Sequence, residues 1–160
     1  MARVFTLRDL ESIKKIALLT FSKRWSDSDF NYFLSSESAR CYGLFGDPRS
    51  AVGLRKVTDG NLACYVLSLV AQGDLDIISI ATDPAWQGKG LAYWCLKAID
   101  LMNDIQRAYL EVDESSLKAI RLYQRAGFSQ YGIRKKYYEG KRNAVLMKKD
   151  YPRVIGTGTL

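Results

Sequence analysis

The chain has 160 residues, of which 48% are hydrophobic and 26% charged, and this composition fits one globular domain with a core of ordinary size. No apolar run approaches the roughly 20 residues of a membrane span, and the first ten residues carry charges where a signal peptide would be apolar. We therefore expect a cytoplasmic protein, with a single domain over residues 1–150 and a mobile tail over residues 151–160.

Histidine is absent from the sequence, which excludes Ser-His-Asp triads, cysteine–histidine pairs and histidine-bound zinc. Any general acid or base must be Asp, Glu, Tyr, Lys, Cys or a water molecule that they hold. The cysteines, Cys41, Cys64 and Cys95, are odd in number and lie among apolar residues. We expect reduced core thiols rather than disulfides, and no metal.

The positive charge is concentrated in one part of the chain. Residues 118–149 hold ten Lys or Arg residues and one acid, Glu139, so this segment has a net charge of +9. The rest of the chain has a net charge of −2, which gives the total of +7. Such a basic third can meet nucleic acid, a phosphorylated ligand or an acidic partner, and it can equally be a solvated face.

The first third of the chain predicts two helices. The spacing of residues 6–9 fits a capping box, and apolar residues follow at helical intervals, so we predict a helix over residues 7–21. A second, shorter helix is predicted over residues 27–34. Residues 40–50 fit either a strand or a loop before Asp47-Pro48.

The middle of the chain predicts β-structure followed by a crossover. Turn signals at residues 59–61 and 72–73 predict three antiparallel strands between residues 51 and 82. The last strand leads through a glycine-containing loop and an amphipathic helix into another strand, at residues 108–112. A strand–helix–strand connection of this length places its two strands parallel and side by side.

The last third predicts a helix and a hairpin. The helix covers residues 115–126 and stops at Gly127, in the usual place for a left-handed C-terminal cap. Residues 131–134 and 144–148 then form a closing antiparallel pair.

The loop over residues 87–92, Gln-Gly-Lys-Gly-Leu-Ala, is the most informative motif. Gly88 and Gly90 let an anion approach the backbone, and the following helix offers unpaired N–H groups and the positive end of its dipole. An ordinary tight turn is the alternative for the two glycines alone. Their position between a strand and a helix favours a ligand that carries phosphate.

This loop resembles the acetyl-CoA loop of the GCN5-related N-acetyltransferases, in which Arg or Gln is followed by two residues, Gly, one residue, and Gly or Ala. Residues 110–128 and 132–138 resemble the RimI-like branch of that family, the ribosomal-protein alanine N-acetyltransferases. With residues 24–26 and Phe30, the resemblance extends over residues 3–149. It implies an α/β (α+β) fold: a mixed central sheet of about six to seven strands with a splayed parallel pair, flanked by about four helices.

The resemblance implies catalytic roles for two residues. Glu111 lies mid-strand between apolar residues and matches the family's general base, and an α-amine with a pKa near 8 is already about one-tenth neutral at pH 7. Tyr123 matches the tyrosine that protonates the departing CoA sulfur, and a phenol with a pKa near 10 stays protonated. Without the resemblance, Glu111 is more simply a surface carboxylate and Tyr123 a core aromatic.

The resemblance also implies the contacts with acetyl-CoA. Backbone N–H groups of the loop are expected to hold the pyrophosphate, and strand residues to line the pantetheine channel and polarise the thioester carbonyl. The expected cofactor residues are Ile80, Ala81, Thr82, Gln87, Gly88, Lys89, Gly90, Leu91, Ala92 and Ser116.

Other side chains complete the expected site. One of Lys89, Lys118 and Arg125 is expected to reach the CoA phosphates. Tyr137 and Tyr138 are expected to border the acceptor pocket.

Three positions depart from the family pattern. Gln87 is an accepted variant of the usual Arg. Ser116 stands where relatives often have Asn, so its hydroxyl is expected to bind the cofactor more weakly or through water. Residues 140–144 lack the acidic residues of the RimI branch, which puts a strongly basic acceptor peptide in doubt.

The sequence thus predicts acetyl-CoA-dependent N-acetylation through direct attack of an amine on the thioester. The predicted acceptor is a protein N-terminal α-amine, with alanine of a ribosomal protein as the leading candidate. Acetylation of a lysine or a small-molecule amine stays open. So does a non-catalytic module that binds acetyl-CoA or ribosomal RNA, although nucleic acid is disfavoured as a partner and no membrane is expected.

Overall fold

A computed structural model describes residues 3–5, 9–21, 25–46 and 61–151. The strands are β1 (Arg3–Val4), β2 (Tyr42–Gly46), β3 (Asn61–Ala71), β4 (Asp74–Thr82), β5 (Arg107–Asp113), β6 (Ser129–Tyr138) and β7 (Arg142–Asp150). The helices are α1 (Leu10–Thr20), α2 (Asp27–Ser35), α3 (Leu91–Ile99) and α4 (Leu117–Arg125), with a 3-10 turn at Pro84–Trp86. The strands form one sheet in the order β1-β2-β3-β4-β5-β7-β6. The predicted fold class, a mixed sheet flanked by about four helices, is confirmed.

The two predicted N-terminal helices are present with small shifts at their ends. α2 begins at a capping box, because Ser26 accepts a hydrogen bond from the Asp29 backbone while Asp29 accepts one from the Ser26 backbone. In α1, Asp9 is the N-cap residue, and its side chain makes no capping hydrogen bond. The capping box predicted at residues 6–9 otherwise lies outside the described residues.

The antiparallel half of the sheet differs in part from the prediction. β3 and β4 form the expected hairpin, whose turn residues Gln72 and Gly73 both have positive φ, of 53° and 87°. β3 also pairs antiparallel with β2, which comes from the segment that fitted either a strand or a loop, and β2 pairs antiparallel with β1. Residues 47–60, which include the predicted turn at residues 59–61, lie outside the described part.

The crossover is confirmed, since β4 and β5 pair in parallel and α3 connects them along the chain. α4 ends before Gly127, whose φ of +97° is the expected left-handed conformation. β5 then pairs antiparallel with β7, and β7 with β6, so the predicted closing pair is present in a longer form.

Two hydrophobic clusters cover the two faces of the sheet. One contains the buried residues of α3 and the aromatic residues Tyr123 and Phe128 around α4. The other joins α1 and α2 to β3 through residues such as Ile13, Phe30 and Tyr65. The three cysteines are free and buried, as expected of core thiols. Among the described residues, no helix is long and apolar enough to cross a membrane.

Candidate active site

A gap between β4 and β5 provides the space for the site. The two strands pair only from Asp74–Ile77 on β4 and Arg107–Leu110 on β5. The next residue of β4, Ile78, is a bulge, because its two neighbours pair with consecutive residues of β3. A bulge bends its strand and increases the local twist. We conclude that the bulge at Ile78 turns β4 away from β5 and opens the predicted splay.

A cavity of about 440 Å³ lies in this gap. It is lined by Thr20, Phe21, Trp25, Ile77, Ile78, Ser79, Ile80, Leu110, Glu111, Val112, Asp113, Ser116, Ala119, Tyr123 and Tyr138. A second cavity, of about 380 Å³ between α1 and α2, shares Trp25 with the first but contains neither Glu111 nor Tyr123. Only the first therefore combines a carboxylate and a phenol at the splay.

Glu111 projects into the cavity from β5. The strand alternates, so that Leu110 and Val112 are buried in the core while Glu111 is half-buried on the other face. Its Oε1 lies 3.0 Å from Nη1 of Arg134 on β6, and the Arg134 guanidinium stacks 4.9 Å from the centre of the Tyr137 ring. The site thus presents a carboxylate to any amine that enters, with a fixed cation beside it.

Tyr123 lies on the inner face of α4 and is only 8% exposed. Its ring packs edge-to-face on Phe128, with ring centres 6.2 Å apart. Burial, and then the nearby Tyr138 and Cys64, raise the pKa of the Tyr123 phenol above its ordinary value. Because the phenol stays protonated at neutral pH, it is available as a proton donor at the cavity wall.

The glycine-containing loop has the geometry of an anion site. Gly88 and Gly90 have φ of +77° and +75°, and a Cβ at either position would meet no atom within 4 Å. Gly90 is the N-cap of α3, whose first intrahelical hydrogen bond runs from Trp94 N–H to the Gly90 carbonyl. The N–H groups of Leu91 and Ala92 come before that first bond and are available to an anion.

The rest of the loop is braced against its surroundings. Gln87 Nε2 donates a hydrogen bond to the Thr82 carbonyl at 3.3 Å, and Lys89 Nζ lies 4.5 Å above the Trp86 ring. These contacts hold the side chains of Gln87 and Lys89 against β4 and the 3-10 turn. The loop therefore presents its backbone, rather than these two side chains, to the open space beside Gly88 and Gly90.

The three predicted strand residues differ in position. Ile80 lines the cavity, whereas Ala81 is buried in the cluster under α1 and α2. The Thr82 hydroxyl donates to Cys64 Sγ at 3.3 Å, and Thr82 is not among the residues lining the cavity. Only Ile80 therefore offers its side chain to a ligand in the cavity.

The residues predicted to border the acceptor pocket, and the predicted cofactor residue at the start of α4, also differ in whether they line the cavity. Tyr138 and Ser116 line the cavity, and Ser116 is the N-cap of α4 without a side-chain capping bond. Tyr137 is outside the cavity and packs against Tyr138, with ring centres 5.1 Å apart. Of the two tyrosines, Tyr138 alone therefore lines the cavity.

The three basic candidates for the CoA phosphates are not brought to one point. Arg125 stacks on the Tyr93 ring of α3 at 4.7 Å, and Lys89 lies over Trp86. Lys118 is exposed in the first turn of α4.

Sequence reasoning missed two parts of the site. Arg134 was not recognised as the partner of Glu111, since the two residues belong to different strands and no local pattern links them. Thr20 and Phe21, at the end of α1, also line the cavity. The predicted first helix ends at these two residues. Where that end lies over the sheet is set by tertiary packing, which the sequence pattern does not show.

Comparisons with known proteins identify related sequences and a related fold. The profile of the acetyltransferase (GNAT) family matches residues 10–128. The [ribosomal protein bS18]-alanine N-acetyltransferase of Haemophilus ducreyi is 33% identical over 105 residues, which are 60% of this chain and 71% of that protein. The Escherichia coli K12 protein of the same name is 30% identical over 97 residues, which are 56% of this chain and 64% of that protein.

The fold is also similar to a solved structure. The crystal structure of the ribosomal-protein-S18-alanine N-acetyltransferase from Escherichia coli superposes with a TM-score of 0.82 and 23% identity, covering 100% of this chain and 98% of that one. Members of the matched family are N-acetyltransferases that use acetyl-CoA as donor. With a profile match over more than half of its length, the chain belongs to the acetyltransferase (GNAT) family.

Proposed function

We propose that the chain transfers the acetyl group of acetyl-CoA to the α-amine of a protein N-terminus, with an N-terminal alanine of a ribosomal protein as the leading acceptor. The observation that carries this proposal is the shared cavity of about 440 Å³, in which Glu111 and Tyr123 both line the splay of β4 and β5. The acceptor is supported by the names of the Haemophilus ducreyi and Escherichia coli relatives.

Acetyl-CoA supplies an activated acyl group as a thioester, and the chain has a fitting surface for it. The open space beside Gly88 and Gly90 allows a pyrophosphate to approach the loop backbone. The N–H groups of Leu91 and Ala92 then face the anion at the start of α3. From there the pantetheine arm follows the splay past Ile80 towards Glu111.

Glu111 acts as the general base. As the acceptor nitrogen bonds to the acetyl carbon, it must lose a proton, and the carboxylate is half-buried at the cavity where that proton is released. At pH 7 roughly one α-amine in ten is neutral, against roughly one lysine side chain in 2,500. A single carboxylate, acting directly or through water, therefore suffices for an α-amine.

Tyr123 acts as the general acid. As the carbon–sulfur bond breaks, the phenol gives its proton to the departing thiolate, so that one proton is taken up at Glu111 and one is released at Tyr123. Burial raises the pKa of Tyr123 and makes it a weaker acid, but it also holds the proton in place at working pH. A thiolate forming in the same buried space is correspondingly more basic.

The three free, buried cysteines are typical of a protein from a reducing compartment, and we infer that the reaction takes place in the cytoplasm.

The proposal is tested with purified protein, labelled acetyl-CoA and three acceptors: an Ala-initiated peptide containing an internal lysine, the same peptide with a blocked N-terminus, and spermidine. Mass spectrometry that locates the acetyl group on the α-amine of the first peptide is the expected result. Transfer only to lysine or spermidine would mean that the acceptor is a lysine side chain or a small-molecule amine and not a protein N-terminus. Salt-sensitive RNA binding without turnover would favour the non-catalytic module.

A further inference from the structure

Resting on the proposed function, we propose that the cavity between α1 and α2 is a second acceptor subsite, which takes a large apolar side chain at the third residue of the acceptor. This α1–α2 cavity has a volume of about 380 Å³. Its wall includes Trp25, which also lines the cavity between β4 and β5 that contains Glu111. The two cavities are therefore neighbours on either side of one side chain, and a bound peptide can extend from the first into the second.

The α1–α2 cavity has an apolar wall. Its lining includes Ala17 and Leu18 of α1, Phe30 of α2, and Trp25 between the two helices. The Trp25 ring is packed between two aromatic partners, with ring centres 5.4 Å from Phe30 and 5.1 Å from Phe33. Leu18 is 56% exposed, so its apolar surface is available for burial by a ligand. Such a wall suits a phenyl ring or a branched aliphatic side chain.

The charged groups beside this apolar wall balance one another. Glu11, Lys14 and Lys15 complete the lining. Lys14 Nζ lies 3.2 Å from Glu11 Oε1 and 2.9 Å from Asp27 Oδ1, so it joins α1 to the first turn of α2. Two carboxylates thus face two ammonium groups, and neither an acidic nor a basic side chain gains a net attraction. The cavity therefore selects by apolar surface and size rather than by charge.

The length of an extended peptide fits this route. The attacking amine must come within about 3 Å of the Glu111 carboxylate, and the third residue then lies at most about 7 Å further along the chain. The end of α1 provides the wall that the peptide follows, because Thr20 and Phe21 line the cavity between β4 and β5 together with Trp25. Residues 1 and 3 of an extended peptide point to the same side. A first side chain that faces α1 thus brings the third to the α1–α2 cavity.

The test compares four peptides that begin with Ala-Gly and differ only at position 3, which is Phe, Ala, Asp or Lys, at saturating acetyl-CoA. Mass spectrometry locates the acetyl group on each product. We expect kcat/KM to be about tenfold higher for the Phe peptide than for the Ala peptide, because its ring leaves water. The difference should lie in KM, since position 3 is remote from the reacting atoms. The Asp and Lys peptides should stay within about threefold of the Ala peptide.

Leu18→Glu and Leu19→Glu form a matched pair. Both leucines lie near the end of α1 and are 56% exposed, but Leu18 lines the α1–α2 cavity whereas Leu19 lines neither cavity. Each substitution adds the same negative charge at nearly the same place. Leu18→Glu should bring the Phe-to-Ala ratio of kcat/KM close to one, because it puts a carboxylate where the ring packs. Leu19→Glu should leave that ratio unchanged.

A milder variant guards against misfolding. Thermal unfolding shows whether Leu18→Glu folds, and Leu18→Ala decides the matter if it does not. Leu18→Ala removes part of the apolar wall without adding charge, so it should lower the Phe-to-Ala ratio about threefold. Leu19→Ala is its control and should keep the ratio of the unmodified protein.

The outcomes separate the subsite from the proposed function. Acetylation of the Ala peptide at its α-amine supports the proposed function whatever the ratio is. Equal KM for the Phe and Ala peptides, an Asp or Lys peptide as good as the Phe peptide, or a ratio that survives the Leu18 substitutions would overturn the subsite alone. A ratio lost equally in the Leu18 and Leu19 variants, with a dimer that dissociates on sedimentation, would make this surface an interface between copies instead. Absence of α-amine transfer to all four peptides would overturn both proposals.

Discussion

The side-chain oxygen of Asn143 on β7 accepts a hydrogen bond of 2.9 Å from the backbone N–H of Lys136 on β6. Lys136 has a φ of +54° and lies in a bulge of β6. The three β6 residues between Arg134 and Tyr138 lie opposite a single residue of β7, Asn143. Glu114, just before α4, accepts hydrogen bonds from the Asn143 backbone and amide at 2.8 and 2.9 Å. The bulge that presents Tyr138 to the cavity is therefore tied to the turn that starts α4.

Replacing Asn143 by Ala should loosen this bulge. Lys136 loses the partner that stabilises its left-handed conformation, which costs about 1–2 kcal/mol for a residue with a Cβ. We expect the KM for the acceptor peptide to rise about three- to tenfold, with the KM for acetyl-CoA unchanged. Adding Lys136→Gly should restore the acceptor KM in part, because glycine adopts positive φ freely. An equal rise in both KM values would show general loosening instead.

Glu111→Gln tests the general base. The amide keeps an oxygen for Arg134 but accepts no proton, so kcat/KM for an Ala-initiated peptide should fall about 100-fold at pH 7. The loss should shrink at pH 9, where an α-amine with a pKa near 8 is mostly neutral without help. The measurement is the ratio of variant to unmodified kcat/KM from pH 6.5 to 9.5. A ratio that does not change with pH would argue against proton removal by Glu111.

Tyr123→Phe tests the general acid. Phenylalanine keeps the edge-to-face packing on Phe128 but has no proton to give, so kcat should fall about 100-fold or more with little change in either KM. Thermal unfolding should stay close to that of the unmodified chain. A kcat within threefold of the unmodified value would reduce Tyr123 to a packing residue.

Gly90→Ala tests the anion loop. The new Cβ meets no atom within 4 Å, so the cost is that of a φ of +75°, about 1–2 kcal/mol. Because the loop must hold this conformation to face the pyrophosphate, we expect the KM for acetyl-CoA to rise severalfold. Gly140→Ala is the control, since Gly140 has a φ of +68° and equally open space but lies in the β6–β7 turn. It should lower stability similarly and leave the acetyl-CoA KM unchanged.

Alkaline pH should destabilise the protein through its buried tyrosines. Burial raises the pKa of Tyr65 to about 12, against about 10 in an unfolded chain. Below pH 10 both states keep the proton; above it the unfolded state loses the proton first, so the free energy of unfolding falls by up to about 1.4 kcal/mol per pH unit towards pH 12. Burial raises the pKa of Tyr42 and Tyr123 in the same direction.

Urea unfolding of Tyr65→Phe from pH 8 to 11.5 isolates this contribution. The variant should be about 1 kcal/mol less stable at pH 8, because Tyr65 Oη and Ser79 Oγ are hydrogen-bonded at 3.2 Å. Its free energy of unfolding should fall less steeply with rising pH than that of the unmodified chain. An unchanged slope would mean that the Tyr65 phenol titrates alike in both states.

Local sequence patterns predicted the elements that position the donor site. The hairpin turn at Gln72-Gly73, the parallel crossover and the left-handed Gly127 each depend on a few neighbouring residues, and all three are present. The antiparallel strand β2 was less predictable. It is only five residues long and is defined by its pairing with β3, which begins 15 residues after β2 ends.

The sequence by itself determined the chemistry that is available: a histidine-free chain with one glycine-containing loop before a helix, a glutamate within a buried strand and a tyrosine on the following helix. The tertiary structure decided how these groups meet. The bulge at Ile78 opens the cavity between β4 and β5, and Arg134 reaches Glu111 across the sheet. Local periodicity is set by neighbours along the chain, whereas bulges and cross-strand pairs are set by register, which exists only once the strands have assembled.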